Sequence, residues 1–185
     1  MSGQDNREQR FVNALQQLVE KEDRGTLAAL RRGLGKEPGT VAEMHPFVLR
    51  WIPSTATAWQ ERDWYLVASL FAVHQRNWPP VADGRAANFG TSFAQLSQKT
   101  DSGSVERRFV ALLNADREDM PQHLRHAVSL LGSHDIRVNF AELLRDLARW
   151  DHDSRWIQRK WARSFWGSAP RTEDAGVEPA ASTTE

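Results

Sequence analysis

The sequence predicts an all-α fold of two small helical bundles with about eight or nine helices, because apolar residues recur every three or four positions along most of the chain. No segment alternates apolar and polar residues as a half-buried strand does. A polar run at 98–103 separates two stretches of helical periodicity. We therefore predict an N-terminal bundle at 1–98, a C-terminal bundle at 104–167 and a disordered acidic tail at 168–185.

The N-terminal stretch contains five helical patterns. An apolar stripe begins at Phe11, and a second short helix ends at Gly33, where glycine interrupts the pattern. Pro46 suits the first turn of a short third helix. The segment 59–76 is apolar on most sides, which predicts a long buried helix. A shorter pattern follows from Phe89.

The C-terminal stretch predicts four helices, each with a polar residue at its start. Ser104 suits the N-cap of the first, and the Asp-Met-Pro run at 119–121 suits the beginning of the second. Asn139 is the expected cap of the third helix, and Asp153 or Ser154 is that of the fourth. Each helix carries an apolar stripe, so each is expected to bury one face.

The composition excludes several classes of protein. The chain has no cysteine, which rules out disulfides, thiolate metal sites and cysteine nucleophiles. No apolar run approaches the roughly 18 residues that a membrane span needs. The N-terminus lacks the apolar core of a signal peptide. We therefore expect a cytoplasmic protein with no membrane contact.

One pattern offers an enzymatic alternative. The pair His134-Asp135 is of the kind that all-helical metal phosphohydrolases use to hold a water-activating divalent ion. The pair lies in a Gly-Ser-His-Asp stretch between two helices, which a turn explains better. His123 and His126, three residues apart, could separately reach one metal from a helix face, but two ligands do not make a site. The Gly-Leu-Gly run at 33–35 lacks the third glycine and the preceding strand of a phosphate-binding loop. We therefore predict no enzymatic activity and no cofactor.

The charged residues are balanced in total but unevenly distributed. The chain has 24 basic and 24 acidic residues, of which 168–185 holds one arginine and four acids. The rest, with 23 basic and 20 acidic residues, is net +3. Nearly all of the basic residues are arginines, which bind phosphate through a planar fork and stack on bases. High genomic GC content or ion-paired helix faces would produce the same pattern without a nucleic acid.

Several segments, in their order and spacing, together resemble one family. They comprise the run 23–35, the runs 105–109 and 112–117, the stretch 123–150 with Leu-Leu-Arg-Asp-Leu before its final Trp150, and the closing Trp-Ala-Arg-Ser-Phe-Trp at 161–166. The set is similar to the small subunit of the type I-E CRISPR surveillance complex (Cascade) over roughly residues 8–167. Each segment alone is only a helix with an arginine on it, so the ordered set carries the resemblance.

The resemblance implies a non-catalytic, all-α subunit, present as two copies that pack head to tail in the complex. The partners it implies are a second copy of this chain, the other Cascade subunits, guide RNA and target DNA. It implies that basic residues line the path of the target strand and hold the displaced strand. The alternatives are the metal-dependent phosphohydrolase and a helical protein–protein adaptor with no nucleic-acid role. By match to the basic positions of the family, the expected nucleic-acid contacts are Arg31, Arg32, Arg107, Arg108 and Arg125, followed by Arg24, Arg50, Arg62, Arg159 and Lys160.

Deletion of 168–185 is expected to leave the melting temperature unchanged, because this segment has no aromatic residue and little apolar surface to bury. It should slightly strengthen DNA binding, since the deletion removes three net negative charges. Thermal unfolding and a DNA titration of the full and shortened chains would measure both effects. A large fall in melting temperature would show that the segment docks on the helical body.

Overall fold

The computed structural model describes residues 5–78 and 87–167, whose regular structure is helical apart from one isolated bridge between Asn77 and Val138. The all-α prediction is confirmed, whereas the predicted disorder at 168–185 lies outside the described residues. No helix in the described ranges combines the length and apolar character that a bilayer crossing requires. The helices are α1 (Asp5–Glu20), α2 (Arg24–Arg32), α3 (His45–Val48), α4 (Ala58–Val73), α5 (Phe89–Lys99), α6 (Ser102–Leu113), α7 (Met120–Ser133), α8 (Phe140–Leu147) and α9 (Trp156–Trp166), with 3-10 turns at Ala42–Met44 and Leu49–Trp51.

Two of the predicted helix starts in the second half are confirmed and one is wrong by three residues. Asn139 caps α8 by accepting a hydrogen bond from the backbone N–H of Glu142 at 3.0 Å, and α7 begins directly after Asp119. Helix α6 is capped by Asp101 instead of Ser104, because the Asp101 carboxylate accepts the N–H of Gly103 at 3.3 Å. Most of the polar run at 98–103 is therefore helical.

The predicted cap of the last helix is wrong. Ser154 turns back to His152, whose Nδ1 lies 3.0 Å from the serine Oγ and 3.3 Å from its backbone nitrogen. Arg155 precedes α9 in a left-handed conformation (φ 49°) without a side-chain cap. Its guanidinium donates to the carbonyl of Leu113 at 2.6 Å, so a tertiary contact stabilises this start.

Helix α4 ends at Val73, three residues before its predicted end, because the following backbone pairs with the segment before α8. The N–H of Val138 donates to the carbonyl of Arg76 at 3.0 Å, and the N–H of Trp78 donates to the carbonyl of Val138 at 3.2 Å. If α4 continued past Val73, the backbone groups of Arg76 and Trp78 would lose these hydrogen bonds to Val138.

One apolar core extends through both halves of the sequence. Helix α4 is buried from Asp63 to Ala72 and packs against α2, α7 and α8. Helix α8 also packs on α1, and α5 packs on α6 and α9. Helices from the two predicted bundles therefore share a core, and the boundaries of the bundles at 98 and 104 stay a prediction.

Two ion pairs with buried carboxylates join different elements of the fold. Arg117, in the loop between α6 and α7, donates to Asp63 of α4 at 2.6 Å and to the carbonyl of Leu147 at the end of α8. Burial raises the pKa of Asp63 to about 7, and Arg117 opposes this rise. Such a pair adds little net stability, but loss of one partner leaves the other charge buried and unpaired.

The second pair connects α8 with α9. Asp146 accepts hydrogen bonds from Trp161 Nε1 at 2.6 Å and from Lys160 Nζ at 2.7 Å. Burial raises the pKa of Asp146 to about 6, and Lys160 opposes this rise. Lys160 also contacts Glu142 of α8, so its ammonium group links two carboxylates of that helix.

Helices α5 and α9 approach each other closely at Gly90. A Cβ atom placed on Gly90 would lie well within 3.0 Å of the carbonyl group of Trp161. Backbone atoms cannot yield as a side chain can, so glycine is required at this position.

Gly90→Ala is expected to destabilise the fold by about 3 kcal/mol, because the added methyl group would force α5 away from α9. Gly25→Ala is a matched control, since Gly25 is likewise the second residue of a capped helix and a Cβ there would find its nearest neighbour at 3.7 Å. The control should be neutral or stabilising by up to about 1 kcal/mol. Urea unfolding of both variants measures the difference, and equal stabilities would contradict the close approach.

Candidate nucleic-acid interface

Helix α6 presents two adjacent arginines to solvent. Its inner face is fixed by Phe109, which is fully buried and stacks on Phe165 at 4.5 Å between ring centroids. Arg107 and Arg108 lie on the exposed side of the helix. Among the described residues, no carboxylate lies within 4 Å of either guanidinium, so both have donors free for an external acceptor.

Helix α7 contributes Arg125, which is exposed, whereas the preceding Leu124 is buried in the core. The guanidinium packs over Gly35, where an added Cβ would lie 2.6 Å from Nη1. Gly35 also has a positive φ of 78°, so both its conformation and this contact favour glycine. Arg125 has no ion pair with any carboxylate in the described part of the chain.

Two cavities lie beside α7, and Arg125 and Arg108 each line one of them. The larger cavity, about 460 Å³, lies between α4, α7 and the loop at 33–38, and its lining includes Arg62 and Arg125. The smaller cavity, about 110 Å³, lies between α6 and α7 and includes Arg108 in its lining. His126 lines both cavities, and we call the two together the α6–α7 groove.

Sequence reasoning missed three basic side chains of this groove. Lys36, His123 and His126 line it, although the two histidines were considered only as metal ligands. His123 and His126 are three residues apart on a helix, so the sequence alone places them on one side of α7. That this side faces Arg108 of α6 depends on helix packing and has no sequence signal.

Three of the predicted contact residues already have intramolecular carboxylate partners on the surface. Arg24 lies 3.7 Å from Glu22, and Arg32 lies 3.2 Å from Glu43. Arg62 has an ion pair and a ring contact: its Nη2 is 3.3 Å from a carboxylate oxygen of Glu37, and its guanidinium lies 4.5 Å from the centre of the Trp59 ring. Phosphate binding by any of the three would compete with these contacts.

The remaining predicted residues differ in how available they are. Arg31 donates through Nε to the carbonyl of Ala72 at 2.8 Å, and Arg50 lies over the Phe47 ring at 5.1 Å. Arg159 is exposed on α9 and has no carboxylate within 4 Å among the described residues. Lys160 is held by Glu142 and Asp146, so a phosphate contact would have to break a structural ion-pair network.

The residues of the metal alternative do not converge. Asp135 pairs with Arg76 at 2.8 Å, and the backbone of His134 ends α7. Within residues 5–78 and 87–167, no group of three or more histidine and carboxylate side chains is arranged to hold a metal ion.

The fold defines an all-α protein whose helices α6 and α7 expose arginines that have no carboxylate partner among the described residues. A family model for CRISPR-associated protein Cse2 matches residues 26–166. The Cse2 protein of Thermus thermophilus is 35% identical over 173 residues, covering 92% of this chain and 96% of that protein. This chain therefore belongs to the Cse2 family.

Solved structures agree with this assignment. A Cse2-family crystal structure from Thermus thermophilus has a TM-score of 0.75 at 33% identity, covering 91% of this chain and 100% of that one. CasB from M. ruber has a TM-score of 0.73 at 38% identity, covering 87% of this chain and 93% of that one. A chain of a CRISPR RNA-guided surveillance complex has a TM-score of 0.76 at 28% identity, covering 89% of this chain and 94% of that one.

Removal of a buried, ion-paired arginine and removal of an exposed arginine are expected to change the stability of the fold by different amounts. Arg117→Ala should destabilise the fold by about 3–5 kcal/mol, because it leaves Asp63 buried without its partner. Arg108→Ala should change stability by no more than about 0.5 kcal/mol, since its guanidinium is exposed. Denaturant unfolding of the two variants measures this contrast, and a large loss for Arg108→Ala would assign it a structural role.

Proposed function

We propose that this chain is a non-catalytic subunit of a CRISPR RNA-guided surveillance complex that stabilises an opened DNA duplex. In this role, arginines of α6 and α7 contact the DNA backbone. The observation that carries the proposal is the exposure of Arg107, Arg108 and Arg125 without a carboxylate partner among the described residues. Guanidinium groups in this state can bind phosphate without first losing an ion pair.

The similarity to a chain of a CRISPR RNA-guided surveillance complex supports the assembly. We propose that the partners are guide RNA, target DNA, the other protein subunits and a second copy of this chain. In such complexes base pairing with the guide reads the sequence, so a subunit that only holds the strands needs no base-specific contacts. A rigid helical surface with fixed arginines suits that task.

The proposed contacts centre on the α6–α7 groove. Arg108 and Arg125 line its two cavities, and Arg107 lies beside them on α6. Arg159 is a further candidate on α9, since it is equally exposed. Basic residues that already have an intramolecular carboxylate rank lower, namely Arg24, Arg32, Arg62 and Lys160.

Replacement of two arginines in the reassembled complex tests the proposal. With Arg107→Ala/Arg108→Ala, target DNA should bind more weakly, and the slope of log affinity against log salt should fall by about two units. The measurement is target affinity at two or more salt concentrations, with assembly checked by size-exclusion chromatography.

Arg10→Ala/Arg76→Ala is the matched control, because it removes two exposed arginines that are not among the expected nucleic-acid contacts. It should change affinity and slope much less. Unchanged binding by the Arg107/Arg108 variant in a normally assembled complex would assign these arginines to solvated surface. Failed assembly would instead indicate that α6 contacts a protein partner, as the adaptor alternative requires.

A further inference from the structure

The smaller cavity of the α6–α7 groove differs in chemistry from the larger one. Its floor is apolar and includes Phe93 and Leu112, each of which is buried. Arg108, His123 and His126 supply polar groups around it. No acidic residue of the described chain lines this cavity, whereas three carboxylate side chains line the larger cavity.

We infer that this smaller cavity binds one unpaired base of single-stranded DNA, an inference that rests on the proposed function. Arg108 then binds an adjoining phosphate. The inference extends the proposed function by naming the form of DNA that the groove prefers. It also assigns base contact to a surface otherwise expected to contact only the backbone.

The size of the cavity suits one edge of a single heteroaromatic ring. Its volume is about 110 Å³, which is smaller than the engineered apolar cavity of about 150 Å³ that holds a whole benzene molecule. A pyrimidine that inserts one edge and leaves its sugar outside needs no more space than this. A bulkier ligand such as a peptide helix would remain on the surface.

The floor of the cavity is rigid. Phe93 lies between Phe89 and Phe109, at 5.6 and 5.1 Å between ring centroids, and all three rings are buried. An inserted base would therefore exchange water for a preformed apolar surface, which favours binding without reorganisation.

The polar groups match the remaining parts of a nucleotide. Each imidazole offers one donor and one acceptor when neutral, which suits the mixed acceptors and donors on a base edge. The Arg108 guanidinium suits the phosphate. A paired and stacked base cannot enter the cavity, so this geometry favours single-stranded over double-stranded DNA.

Two oligonucleotides of equal charge test the inference. The full chain is titrated at low salt with oligothymidylate of about 15 nucleotides and with an abasic strand of the same length. Fluorescence anisotropy should show about fivefold tighter binding of the thymidylate. The phosphate contacts are the same in both strands, so this difference reports on the bases.

A cavity-filling variant locates the contact. Ala111 lines the cavity from an exposed position on α6, so Ala111→Leu should fill it without unfolding the helix and should abolish the preference for thymidylate. Val110→Leu is the control, because Val110 is exposed on the same helix but does not line the cavity. It should retain the preference, and circular dichroism confirms that both variants fold.

Equal affinity of the unmodified chain for both strands would overturn the inference and leave the proposed function in place, since phosphate contacts alone would explain it. A preference that persists in Ala111→Leu would also overturn the inference, because the base would then bind elsewhere. Binding of neither strand at low salt would overturn the proposed function together with the inference.

Discussion

The buried Arg117–Asp63 pair fixes the relation between the exposed arginines and the rest of the fold. Arg117 lies between α6 and α7 and reaches both the buried helix α4, through Asp63 at 2.6 Å, and the carbonyl of Leu147 at the end of α8. The end of α6 and the start of α7 are thereby held on the core. Arg108 and Arg125 project from these two helices, so the geometry of the α6–α7 groove depends on a buried residue that does not itself line it.

Basic residues in this protein divide into two groups by environment. Arg117 and Lys160 are held by carboxylates of other helices, where removal of one partner would leave a buried charge. Arg107, Arg108 and Arg125 have no such partner in the described chain and are expected to contribute little to stability. This division explains how a chain with equal numbers of basic and acidic residues can still expose arginines whose charge no nearby carboxylate neutralises.

Local sequence signals predicted most of the helices, and at the start of α9 and the end of α4 they failed because a tertiary contact competed. Asn139 capped α8 as expected, because its side chain and the N–H it satisfies are three residues apart. Ser154 did not cap α9, since His152 bound it and Arg155 was held instead by Leu113 across the loop. Helix α4 ends earlier than predicted for the same reason, because the backbone that follows it pairs with Val138.

The sequence by itself determined the all-α class, the helix periodicity and the family resemblance, since each depends on residue type and spacing along one chain. Only the tertiary structure decided which arginines are available. Arg108 and Lys160 look alike in sequence, yet one lines a groove and the other links Glu142 with Asp146. The physical reason is that a cation is free or neutralised according to the carboxylates around it, and for Lys160 helix packing brings these within 4 Å across separations of 14 and 18 residues.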